Sequence, residues 1–374
     1  MHFALVGPIS TIALVSAVTL STPGLPLDPR LKPIAKPSCA TQQAGDHCPL
    51  CRTPRPRWLR SKRQPAALAA SPDATSLKER PRRMASSKVS WRRSEAFFLG
   101  PVDTETLGAK IETWPVLSTD LDTIVAGADT IDETYIASLG TNKKGFYALE
   151  ILLFDNENGD SAVLSALSGD TNQRRRDLVA ALAADMATNA TKLSDAWDPS
   201  KGNFSREFAE AGKGSTTYDT QKKALDALVN AALRASEIVV STGLAEPIGK
   251  RNNGVPEPDE QRAARSDNTR QDLLDMIAGV QAVYTCTRDK EAGTSLSAAV
   301  RDKTPSIDDA FNKHLADTTK ALDAIPTPFA DALSNNLTVL EAAYDQSNDL
   351  KRSLQTEISS VLGVTLAFND TDGD

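Results

Sequence analysis

The chain has 374 residues, of which 40% are hydrophobic, enough to bury one large core or two modest ones. Residues 1–93 hold 16 Lys and Arg against 4 Asp and Glu, a net of +12, which leaves 26 against 45, a net of −19, for the other 281. A body this acidic repels phosphate, so nucleic acid is excluded as a partner, while cations and basic partners suit it.

Taken in chain order, the run from Phe3 to Ser21 is apolar apart from Pro8 and ends in small residues, as a signal-peptide core does. Residues 1–22 are the candidate signal peptide, although the usual positive n-region is missing. The alternatives are a short helix or a mispredicted start upstream of the true one. Export places the mature chain outside the cytoplasm, in the periplasm or cell envelope. No lipidation signal precedes Cys39, and no later run of 18 apolar residues predicts a membrane-spanning helix.

Residues 23–85 are rich in Pro, Arg and Ser without a sustained apolar period, and are expected to be disordered. Cys39, Cys48 and Cys51 fall here with His47, in a spacing that fits no common zinc finger. Cys286 stands alone and reads as a core residue.

Beyond residue 86 the apolar residues recur at helical spacing and period-two alternation is nearly absent, so the body is expected to be all-α. The segment Lys144 to Phe154 is the most informative one. It places Glu150 inside an apolar stretch, three residues from Tyr147, so a helix there projects a carboxylate and a phenol from one face into the interior. Leu178, Leu182, Met186, Ala190, Leu193 and Trp197 lay one stripe along a helix of about seven turns. Asp198-Pro199 stops it. The polar gap from Asp198 to Thr217 divides the body into halves 86–215 and 216–374. A second long helix carries Leu225, Leu228, Ala232, Ala235 and Val239 and ends near Gly243. A third is expected from about Asp259 to Tyr284, and a last one carries Leu340, Tyr344, Leu354 and Ile358. Helices of this length pack as antiparallel bundles.

Chemistry is limited by what is absent. His314 is the only histidine in the body and reads as a surface residue, so zinc-peptidase chemistry through a His-Glu-x-x-His pair is excluded. No nucleophile elbow, phosphate loop or dinucleotide fingerprint occurs. A metal site would therefore use oxygen ligands, which suits hard cations such as ferric iron or calcium. The acidic stretches Asp155 to Asp160 and Asp370 to Asp374 look like calcium loops, but neither completes an EF-hand, and polar turns account for both.

Gly145, Tyr147 and Glu150 resemble the Gly-x-His-x-x-Glu signature of the imelysin family, with Tyr147 where the family has His. Further landmarks follow in family order. Trp91 to Pro101 resembles the opening helix, and Ile111-Glu112-Thr113-Trp114-Pro115 with Leu121-Asp122 the next landmark. Leu244 to Gly249, then Arg265-Ser266-Asp267-Asn268 leading to Leu273, and Leu362-Gly363 through Phe368 to Asp374 complete the similarity over roughly residues 86–374.

The resemblance implies two helical halves facing each other, with Glu95, Trp114, Tyr147, Glu150, Arg265, Ser266 and Asn268 gathered between them. Glu150, Tyr147 and Glu95 are then the metal-ligand candidates, and iron is the metal that the family suggests. Tyr147 in place of His suits ferric iron and weakens the family's metallopeptidase label. The leading expectation is an exported protein that binds a cation or small ligand without catalysis, in iron uptake or with envelope partners. The alternatives are a metallopeptidase and a structural or polymer-binding envelope protein. For the residues themselves there is a structural alternative: Arg265 neutralises Glu150, Tyr147 donates a hydrogen bond, Glu95 is exposed beside Arg92, and Trp114 packs in a core.

Overall fold

The computed structural model describes residues 88–155, 157–285 and 295–367. The candidate signal peptide, the basic segment up to residue 87, all four cysteines and the acidic stretch from Asp370 lie outside them. The described residues are all-α, with no strand among them. They open with α1, residues 88–94, which tightens into a 3₁₀ turn at Glu95–Phe97. The motif helix α2 spans Phe146–Leu153, and α3 spans Gln173–Trp197. After them come α4 (Gln221–Val240), α5 (Thr269–Thr285), α6 (Pro305–Asp323) and α7 (Leu337–Ser353).

The apolar stripes explain the packing. Leu178, Leu182, Met186 and Ala190 on α3 are buried with Ile111, Leu121, Ile136 and Leu152 in a first core. Leu228 and Val239 on α4, Ile277 on α5, Phe311 on α6 and Leu350 on α7 fill a second. Thr220 caps α4 by accepting a hydrogen bond from Lys223 N, Pro305 opens α6 at a position where its missing N–H costs nothing, and Gly363 ends the last helix in the left-handed region.

Two expectations are corrected. The gap from Asp198 to Thr217 carries a short helix, Phe204–Ala209, whose Phe204 and Phe208 pack in the second core together with Trp197. Packing thus passes from one core to the other along α3. The third long helix begins at Thr269, ten residues later than expected. Residues 261–268 instead form turns, with Ala263 and Asp267 at positive φ. His314 is half-exposed on α6.

The chain entry stitches the two cores together. Trp91 on α1 packs in the first core, while Ala96 and Leu99, just beyond it, pack in the second. α1 therefore lies where the cores meet, and its polar face is buried between them.

Candidate ligand site at the junction of the two cores

Helical spacing puts Lys88, Arg92 and Glu95 on one face of α1 and its 3₁₀ extension. All three are buried, at 1%, 2% and 5% exposure. Two glycines bring the partners in. Gly145 has φ +82°, and a Cβ on it would overlap the Ile111 carbonyl, so the backbone before Glu112 can lie directly against the start of α2. On α5 a Cβ at Gly279 would overlap the Arg93 carbonyl, and this close approach lets Asp272 and Asp275 reach α1.

What results is one network. Lys88 Nζ lies 3.2 Å from Glu150 Oε2 and 3.4 Å from Asp272 Oδ2. Arg92 Nη1 donates to Glu95 at 2.6 Å and to Glu112 Oε2 at 2.7 Å. Its Nη2 faces Glu112 Oε1, the Tyr147 hydroxyl at 3.0 Å and Asp272 Oδ2 at 3.0 Å, three acceptors for two protons. Trp91 Nε1 donates to Glu112 at 2.5 Å, Asn268 donates to Asp272, and the Ser266 N–H donates to Glu150 Oε1 at 3.0 Å. Around the Tyr147 ring stand the Trp114 ring edge-on at 4.8 Å, Lys88 Nζ at 5.0 Å and the Arg262 guanidinium at 5.9 Å from its centroid.

Sharing sets the protonation states. Burial pushes Glu95 up to about 7, because Arg92, which opposes the rise, is divided among several acceptors and Glu112 adds repulsion. Burial works against the charge on Glu112 and Asp272 too, yet both are held below the usual carboxylate range, Glu112 by Arg92, Arg262 and Lys88 and Asp272 by Arg92 and Lys88. Burial alone would lower Lys88, but Asp272 and Glu150 outweigh it and raise it. Burial raises Tyr147 above the ordinary phenol range, so it stays a neutral phenol.

A pH dependence follows. Glu95 takes up its proton at about 7 in the folded protein against an ordinary 4.5, so between those values the native state holds more protons than the unfolded one and stability falls as pH rises. Glu112 and Asp272, lowered on folding, contribute stability that is lost only as pH falls below the carboxylate range. Asp185, Glu246, Asp267 and Asp275 are raised and share the sign of Glu95, so the informative quantity is a difference. Between about pH 5 and pH 8 the urea midpoint of Glu95→Gln should fall less steeply than that of wild type, and equal slopes would contradict the assignment.

Of the residues expected at the site, the structure brings together Glu95, Trp114, Tyr147 and Glu150, with Ser266 present through its backbone and Asn268 through Asp272. Arg265 is exposed and sits apart from the network. The cation on Glu150 is Lys88, which overturns the expected Arg265 pair. Burial of Glu95 overturns its reading as an exposed residue, and Trp114 is half-buried against Tyr147. Lys88, Arg92, Glu112, Arg262 and Asp272 were not among the expected site residues. The signal that identifies the first two is their i, i+4 spacing ahead of Glu95 on one helix face.

The donor set does not fit a resident metal ion held by Glu95, Tyr147 and Glu150. Both carboxylates are engaged by Arg92 or Lys88, and the phenol is neutral. Among the described residues no group of three or more His, Cys, Asp or Glu is placed to hold a metal ion. In the first acidic stretch, Asp155 Oδ1 accepts from the backbone of Glu157 and Asn158, a polar turn.

A recess opens beside the network. Arg92, Arg262, Thr269 and Asp272 border it together with Ile238, Gly243, Leu273 and Met276, and its surface is mostly apolar. Gly243 belongs to a π-helical turn, Ser241–Ala245, in which Thr242 accepts a hydrogen bond from Arg262 at 3.2 Å. Such turns are frequent at functional sites.

The family model described as imelysin, under the label Peptidase M75, matches residues 61–356. The chain belongs to the imelysin family. A curated relative from Synechococcus elongatus, "Iron-regulated protein A", is 27% identical over 248 residues, which is 66% of this chain and 63% of the relative. The match thus spans less than two thirds of that relative. Two solved structures share the imelysin fold seen here. One, described as an iron-regulated protein A precursor from Parabacteroides distasonis, has a TM-score of 0.67 at 19% identity and covers 82% of this chain and 89% of its own. The other, an imelysin-like protein from Psychrobacter arcticum 273-4, has a TM-score of 0.62 at 17% identity over 84% and 93% of the two chains.

Proposed function

We propose that this imelysin-family chain is an exported, non-catalytic binding protein that takes a small ligand at the junction of its two cores and serves iron-linked physiology. The observation that carries the binding reading is the buried charge network at that junction, shared by both cores and adjoining a recess. The link to iron rests on the relative named for its iron regulation. Export rests on the apolar run at residues 3–21, and no helix among the described residues is long and apolar enough to cross a membrane. Against peptidase chemistry stands the pairing of each junction carboxylate: Glu112, Glu150 and Asp272 are held by cations, and Glu95 is on Arg92, so none is placed as a general base beside an open position.

Native mass spectrometry of the protein purified from the cells that make it tests the reading in one measurement. The expected result is a chain shortened by its leader that carries a small molecule, with the molecule lost from Arg262→Gln at unchanged helicity. Chelator-sensitive cleavage of an unfolded protein substrate, abolished in Glu150→Gln, would overturn it.

A further inference from the structure

The nature of that ligand follows from what the junction still lacks. Each carboxylate of the network already accepts from a cation, and Glu112, Glu150 and Asp272 accept from a neutral N–H as well. The buried polar atoms there that have no partner are of the opposite kind: Arg92 Nε and Arg262 Nε, both N–H donors. Arg92 is 2% exposed, so its unmet donor has little recourse to solvent. Both arginines line the same recess.

Arg262 is the more available of the two. It is half-buried, and among the described residues it has no ion pair. One end is tethered to Thr242, and the guanidinium stands over the Tyr147 ring. The segment that carries it turns through positive φ at Ala263 and Asp267, and Thr269 holds the Arg262 carbonyl. A guanidinium placed in this way, with donors unmet, is suited to an oxygen acceptor, and an ionised acceptor makes the stronger bond.

We propose that the ligand of the junction is a small oxyanion, a carboxylate- or phosphate-bearing molecule received at the recess by Arg262 and Arg92, and not a bare metal ion. This rests on the binding reading above and names its ligand class. A bare cation would have to displace Lys88 or Arg92 from carboxylates they already hold, whereas an oxyanion meets donors that have no partner. The recess has room for about one water molecule, enough for one oxygen of the ligand.

Calorimetric titration of the full chain with sodium formate, inorganic phosphate, calcium and manganese tests this, with Arg262→Gln and Arg262→Lys alongside. Formate binding points to a carboxylate ligand and phosphate binding to a phosphate. Either should weaken by about tenfold or more in Arg262→Gln with partial recovery in Arg262→Lys. Circular dichroism should show both variants folded, since Arg262 makes no ion pair there. Equal anion affinity in wild type and Arg262→Gln would overturn the proposal, and so would calcium or manganese binding without anion binding. If no anion binds but mass spectrometry still finds a co-purified molecule, this inference fails and the binding reading survives. If neither experiment finds a ligand, the binding reading fails with it.

Discussion

Arg92→Met should be the most damaging single substitution in the junction. Its guanidinium serves Glu95, Glu112, Asp272 and the Tyr147 hydroxyl at once, and all of these are shielded from water. Removing one partner of a buried ion pair typically costs about 3–5 kcal/mol, because the charge left behind has neither water nor a counter-ion. Here three carboxylates lose a partner, so the loss should reach the upper part of that range, a large share of the roughly 5–15 kcal/mol that holds a domain together. The urea midpoint read by circular dichroism measures it. Arg92→Lys keeps the charge but not the planar fork that spans several acceptors, and should fall between wild type and Arg92→Met. A loss below about 1 kcal/mol for Arg92→Met would mean that the carboxylates find other partners or take up protons at little cost.

The long helices were legible in the sequence because a period of 3.6 needs only local information. The stripes on α3 and α4 follow from spacing alone, as does the pairing of Tyr147 and Glu150 on one buried face of α2. Residues 261–268 show why the remainder was less legible. Gln261, Arg262, Ala263, Ala264 and Arg265 are good helix formers, and local propensity extends α5 back through them. The fold spends them on turns instead, which brings the Ser266 N–H to Glu150 and the Thr269 hydroxyl to the Arg262 carbonyl. Tertiary demands outweigh a preference worth only tenths of a kcal/mol per residue.

The partners of the site were hidden for a different reason. Lys88 and Arg92 close the basic stretch at the start of the chain, so a charge count groups them with the leader, although each is buried. Arg92 and Asp272 lie 180 residues apart, and Lys88 and Asp272 184, and no local pattern pairs them. The family resemblance pointed to Arg265, yet Arg262, three residues before it, is half-buried while Arg265 is exposed.

The network can act as one unit across the two cores only if its members depend on one another, and Glu150 and Asp272 provide the direct test. Glu150 stands on α2 and Asp272 on α5, and both contact Lys88. In Glu150→Gln the Lys88 ammonium keeps Asp272, and in Asp272→Asn it keeps Glu150, so each change alone should cost about 1–3 kcal/mol. In the double variant Lys88 is a buried cation without a carboxylate, which adds a penalty that neither single change carries. A double-mutant cycle on urea midpoints should therefore show a combined loss that exceeds the sum of the two by about 1 kcal/mol or more, whereas additivity to within about 0.5 kcal/mol would contradict a shared network.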